Sequence, residues 1–186
     1  VSVSIRFAAR HDASGLAAVH VASWRHAYGD GLLPDRYLRS LSIGALTPRW
    51  RDRIDAQGGD QAILVAESDG RVLGFACVGL CRDNEDLAYF AGEVTMLYID
   101  PRFHNRGVGA ELLEAALCSL EDAGLTWAVV WVLEGNVEAR TFYERQGMQQ
   151  DGAFRTDLIA GHPVPVVRYA RAINPAVDLD DLVYSR

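Results

Sequence analysis

The residues best placed to do chemistry in this chain lie between Glu93 and Leu113, in the stretch EVTMLYIDPRFHNRGVGAELL. At its centre is a glycine-spaced turn, His104-Asn105-Arg106-Gly107-Val108-Gly109. It opens into a segment whose apolar residues, Leu112, Leu113, Ala116, Leu117 and Leu120, recur at helical spacing. The first amides of a helix have no intrahelical partner and sit at the positive end of its dipole. Glycines there let an anion approach the backbone with no Cβ in the way, so the chemistry offered is phosphate binding. A P-loop would need Lys and then Ser or Thr after the last glycine, where this chain has Ala110-Glu111. A dinucleotide fingerprint would need a small residue three positions beyond the second glycine, where Leu112 stands. What remains is a turn close to (Arg/Gln)-x-x-Gly-x-(Gly/Ala), with His104 at its first position and Arg102 and Arg106 nearby.

The elements that must hold this turn can be read on either side of it. The apolar run ending at Ile99 predicts a strand from Tyr89 to Ile99, broken by Asp100-Pro101, and the helix after the turn should stop at Gly124. Thr126 to Leu133, TWAVVWVL, is apolar on both faces, as expected of a central strand covered on both sides. Reached through a strand-helix-strand crossover, it should run parallel to the strand before the turn. Asn136 then caps a helix of about ten residues that carries Ala139, Phe142 and Tyr143 and ends at Gly147.

Upstream, Val3 to Ala8 alternates as a first strand, and Asp12 is the expected N-cap of a helix ending near Gly29 and Gly31. A short helix holds Tyr37, Leu38 and Leu41, and another from about 43 to 57 holds Leu46, Trp50 and Ile54. Gln61 to Ser68 and Arg71 to Arg82 form a hairpin at Asp69-Gly70, whose residue types favour positive φ. Met148 to Ile159 and Val164 to Ile173 supply the last strands around Gly161-His162-Pro163. The expected organisation is one domain over 1–173 and an acidic tail over 174–186.

The chain has 186 residues, 49% of them hydrophobic, which suffices for a full core in one domain. Its formal net charge of −7 offers no basic stripe for nucleic acid and suits a cationic small substrate. With no long apolar span and no signal-peptide core in VSVSIRFAARHD, a cytoplasmic protein without membrane association is expected. The three cysteines, Cys77, Cys81 and Cys118, are too few for a disulfide framework. Cys77 and Cys81, four apart in a predicted strand, are separated by roughly 13 Å and read as core thiols.

Two motifs in order, the turn at 104–109 and Asn136-x-x-Ala139-x-x-Phe142-Tyr143-x-x-x-Gly147-Met148, resemble the two signatures of the GNAT N-acetyltransferase superfamily. They cover residues 93–148, and the departure is His104 in place of Arg or Gln. The resemblance implies a mixed α+β fold. Its sheet would have six to seven mostly antiparallel strands, with a parallel, splayed central pair and flanking helices. It also implies acetyl-CoA as co-substrate and no metal.

On this reading the pantetheine arm lies along Leu97, Tyr98 and Ile99. The turn residues His104, Asn105, Arg106, Gly107, Val108 and Gly109 hold the pyrophosphate, and Asn136 and Tyr143 contact the cofactor. From Ile99 back to Glu93 the extended chain spans roughly 20 Å, enough for such an arm. The resemblance makes Glu93 the general base, Tyr143 the acid that protonates the departing thiolate, and the amide near Leu97 the oxyanion donor. Positioning would then supply much of the rate. The acceptor, a small amine or peptide, would lie among Trp24, Tyr28, Tyr37, Tyr89 and His162, with Asp30, Glu85 and Asp86 able to attract a cation. A homodimer is compatible with this reading. Two other classes are a non-catalytic acyl-CoA-binding regulatory domain and a transferase using another acyl donor or an oxygen acceptor; the pair Glu93 and Tyr143 disfavours the first.

Overall fold

The computed structural model describes residues 3–29, 31–59, 61–83 and 90–174. Asp30, Glu85, Asp86, Tyr89 and the tail beyond Asn174 lie outside the described residues. The strands are β1 (Ser4–Phe7), β2 (Gln61–Ser68), β3 (Arg71–Leu80), β4 (Ala91–Ile99), β5 (Trp127–Leu133), β6 (Gln149–Ile159) and β7 (His162–Ala172). The helices are α1 (Ala13–Tyr28), α2 (Asp35–Ser40), α3 (Ile43–Asp55), α4 (Val108–Asp122) and α5 (Val137–Arg145).

The strands form one sheet in the order β1-β2-β3-β4-β5-β7-β6. Every neighbouring pair is antiparallel except β4 and β5, as the crossover through α4 requires. The hairpin between β2 and β3 turns at Asp69 and Gly70, with φ of 51° and 76°, as their residue types predict.

Each face of the sheet is closed by a different helical layer. Leu112, Leu113, Ala116, Leu117 and Leu120 of α4 are buried against Leu64, Leu73, Val78, Val94 and Val130. Burial of each such leucine contributes about 1.5–3 kcal/mol, so α4 is fixed by its apolar stripe. On the other face α1 and α3 bury Leu16, Val19, Trp50 and Ile54 against Val65, Phe75 and Cys77. The segment joining α1 to α2 packs Leu33 with Tyr28, Leu38 and Val164, so it closes over the β6–β7 end of the sheet.

Two local readings change. Asp12 does not cap α1 with its side chain. Its carboxylate accepts from the Ala9 amide at 2.8 Å and from both terminal nitrogens of Arg6 at 2.7 and 2.9 Å, tying the start of α1 to β1. Burial would raise its pKa, but the bonds from Arg6 and Ala9 outweigh that and hold it below the usual carboxylate value. Cys81 lies one residue beyond β3, its amide bonded to the Ala91 carbonyl at 2.9 Å. Cys77 and Cys81 are both buried, in keeping with core thiols.

Candidate active site

β4 and β5 pair only at Ala91, Gly92 and Glu93 against Trp127, Ala128 and Val129. Beyond that point they part, because β4 follows β3 while β5 stays paired with β7 through Leu133. Between Cys77 and Val78 the β3 register shifts so that Thr95 is the extra residue of β4, a bulge at the point of divergence. The result is a cleft of about 790 Å³, walled by β4 from Val94 to Ile99 and β5 from Val130 to Leu133. Among the described residues the β4 edge facing it has no strand partner along that stretch, so its backbone groups, apart from the Ile99 carbonyl, are available to an extended ligand.

One end of the cleft is the glycine turn. Asp100 fixes its approach: its amide donates to Leu73 at 2.8 Å, and its carboxylate accepts from the Arg102 amide at 3.1 Å and pairs with the guanidinia of Arg102 and Arg71. The Arg102 hydrogen bond, with Arg71 adding charge, holds the Asp100 pKa below its usual value despite burial. Gly107 is the N-cap of α4 at φ 84°, a left-handed conformation that a residue with a Cβ adopts only with strain. A Cβ on Gly109 would stand 3.3 Å from the Phe142 ring, so this glycine lets α4 approach α5 closely.

The other wall is α5. Asn136 caps it as the sequence predicts, its Oδ1 accepting from the Ala139 amide at 3.1 Å, and its side chain also meets the Tyr28 hydroxyl. Tyr169 of β7 holds α5 in place by donating to Glu144 Oε1 at 2.8 Å and accepting from Arg140 Nε at 3.1 Å. Tyr143 is 6% exposed and lines the cleft. Burial, with the neighbouring Tyr28 adding to it, pushes its phenol well above the ordinary value, so the proton stays on throughout the working pH range.

The structure brings Leu97, Tyr98, Ile99, His104, Asn105, Gly107, Gly109, Asn136 and Tyr143 to this one cleft. The Val108 side chain is buried in the core, and Arg106 sets its guanidinium 5.6 Å from the Phe103 ring centre. His104 places Nε2 3.1 Å from the Ile99 carbonyl and Nδ1 3.3 Å from Glu138.

Glu93 lines a second cavity, of about 290 Å³, with Arg53, Gln57 and Arg82. Thr95, the bulge residue, borders both cavities. Burial first, and then the nearby Asp83, raises the Glu93 pKa. Of the proposed acceptor-side aromatics, Tyr28 lines the main cleft, while Trp24 and Tyr37 pack with Tyr28 and Leu33. His162 opens β7.

Sequence reasoning missed Ser23, His26, Glu138 and Arg145, all of which line the cleft. A signal for the first two existed: His20, Ser23 and His26 recur every three residues on α1, placing polar groups on one side of a largely apolar helix. Ser23 Oγ donates to the Ile99 carbonyl at 2.9 Å, which fastens α1 to the end of β4.

The sequence pattern described as the acetyltransferase (GNAT) family matches residues 18–148. Among curated relatives, the chain is 31% identical to the uncharacterized N-acetyltransferase YuaI of Bacillus subtilis, over 72% of this chain and 73% of that protein. It is 31% identical to the probable N-acetyltransferase Rv2775 of Mycobacterium tuberculosis, over 90% and 92%. Among solved structures, the paia N-acetyltransferase of Thermoplasma acidophilum in complex with coenzyme A superposes with a TM-score of 0.65 at 20% identity, over 92% of this chain and 99% of that one. yncA of Salmonella typhimurium, solved with its cofactor acetyl-CoA, gives 0.70 at 17% identity, over 96% and 98%. The family match over residues 18–148 and the relatives at 31% identity show that the chain belongs to the acetyltransferase (GNAT) family.

Proposed function

We propose that this protein moves the acetyl group of acetyl-CoA directly to a primary amine of a small molecule or peptide, in a ternary complex and without an acyl-enzyme. One observation carries the reading: the β4 edge left without a strand partner among the described residues runs from the glycine turn to the bulge at Thr95, in a cleft that the buried Tyr143 also lines. An extended pantetheine fits such an edge as an added strand, with its phosphates on the amides of Gly107 to Gly109 at the α4 N-terminus. Arg145, exposed on the same cleft and making no ion pair among the described residues, supplies a cation for a cofactor phosphate. The coenzyme A and acetyl-CoA complexes of the Thermoplasma and Salmonella proteins support the assignment.

The amine approaches from the side of the Glu93 cavity, which meets the cleft at Thr95. Glu93, with its proton affinity raised by burial, takes a proton from the ammonium, directly or through water, and the freed amine attacks the thioester carbonyl. The Leu97 amide, on the splayed stretch of β4, stabilises the developing oxyanion. The C–S bond breaks as Tyr143 gives its proton to the leaving thiolate, and the second proton that the attacking nitrogen sheds on becoming an amide passes through water to restore the phenol. The test is coenzyme A thiol release from acetyl-CoA against a panel of amines, peptides and alcohols, with the products identified by mass. Release with amines and an acetylated amine product is expected. Binding of acetyl-CoA with no turnover on any acceptor would favour the non-catalytic reading, and turnover only with alcohols would overturn the amine.

A further inference from the structure

Three side chains that the mechanism above gives no role converge on one rim of the cleft, His104 among them, because the phosphates there rest on the amides of Gly107 to Gly109. His26 comes from α1, His104 from the turn after β4, and Glu138 from the first turn of α5. Glu138 Oε1 lies 3.3 Å from His104 Nδ1 and Oε2 lies 3.7 Å from His26 Nε2. The two imidazoles stand 5.2 Å apart at 80°, and one ligand atom from each residue falls within 4.8 Å of the others.

Hydrogen-bond polarity shows what this convergence lacks. His104 Nε2 faces the Ile99 carbonyl at 3.1 Å, and a carbonyl only accepts, so Nε2 carries the hydrogen. In a neutral ring Nδ1 then presents a lone pair, and it points at a carboxylate, which is also an acceptor. Two acceptors at that distance are reconciled by a proton or by a metal ion between them. A proton on Nδ1 and a hydrogen on His26 Nε2 would answer the two contacts one by one; a single metal ion answers both at once. We propose that His26, His104 and Glu138 bind one zinc-class divalent cation, which pins α1 to α5 across the rim of the cleft.

The spacing fits. Zinc bonds of about 2.0–2.2 Å in a tetrahedral site put ligand atoms roughly 3.4 Å apart; the two imidazole nitrogens lie 3.3 and 3.7 Å from the two oxygens of Glu138, and small side-chain shifts from the 4.8 Å spread would close the set. Two imidazole nitrogens and one carboxylate suit zinc better than calcium or magnesium, which take all-oxygen shells. The bond from Nε2 to Ile99 is the outer contact by which metal-bound histidines are oriented, and Ser23 holds the same carbonyl at 2.9 Å. Three protein ligands leave the fourth position to water. No metal was expected from the sequence, because the ligands lie 78 and 34 positions apart and form no ligand motif. The proposal does not depend on the cleft's being a coenzyme A site.

The test is calorimetric titration of zinc chloride into the full chain freed of metal with chelator, in parallel with the visible spectrum on adding cobalt(II). One ion per chain and the visible bands of a four-coordinate nitrogen–oxygen cobalt site are expected. Loss of an outer-shell partner alone typically costs 10–100-fold, so His26→Ala and Glu138→Gln should each weaken zinc by about 100-fold or more and abolish the cobalt bands. Both residues are about half exposed or more, so both variants should melt with the wild type in chelator. No binding at millimolar zinc, or binding that survives both substitutions, would overturn the site.

Discussion

The two sides of the cleft solve different problems with different parts of the chain. The side built from β4, the glycine turn and α5 works mainly through the backbone: an unpaired strand edge, the first amides of α4 and a capped helix. The side built from α1 works through side chains, Ser23, His26 and Tyr28, with an aromatic cluster packed behind it. His20 is enclosed by Trp24, Trp50 and Tyr98, and burial, with Arg53 adding to it, lowers its pKa to about 4. Its Nδ1 and the Trp24 Nε1 are buried without partners among the described residues. Under the proposed function, the backbone side would take the ligand part common to every turnover, and the side-chain wall could be re-cut for each acceptor.

The largest effect should come from the backbone side. Gly107→Val forces a β-branched residue into φ 84° and places a side chain where phosphate is to approach. The strain alone costs about 1–2 kcal/mol. Thermal stabilisation by acetyl-CoA, read by scanning fluorimetry, should vanish while the variant still melts cooperatively. Full stabilisation in that variant would move the cofactor away from the turn.

Next comes the buried phenol on the α5 wall. Tyr143→Phe keeps the ring and removes the proton, so kcat should fall by roughly 10²-fold or more with little change in acetyl-CoA affinity. Wild-type turnover, with chemistry shown to be rate-limiting, would leave Tyr143 as core alone.

Glu93→Gln probes the acceptor side. A carboxylic acid with a raised pKa is an effective base only above that pKa, so wild-type kcat/KM should rise with pH through a limb above the ordinary carboxylate range. The variant should lose about 10-fold or more at the plateau and lose that limb. An unchanged pH profile would assign the base elsewhere.

The smallest effect separates cap from contact. Asn136→Ala should cost about 1 kcal/mol of stability through the lost cap, and Asn136→Asp should keep the cap. If the amide also holds the cofactor, KM for acetyl-CoA should rise in both variants. A rise in neither would confine Asn136 to capping.

The sequence by itself determined the backbone side, because the residues that make it are neighbours in the chain. The φ 84° of Gly107, the Asn136 cap and the parallel β4–β5 pair follow from spacing and local stereochemistry. The same local reasoning failed at Asp12, a good capping residue placed before a helix, because Arg6 on β1 and the Ala9 amide took its carboxylate. Only the tertiary structure decided where the two strands part, that Thr95 bulges there, and that Glu93 opens into a separate cavity. It alone brought His26, His104 and Glu138 within ligand distance. These depend on register and on contacts between segments tens of residues apart, which packing of the whole core selects and no local pattern encodes.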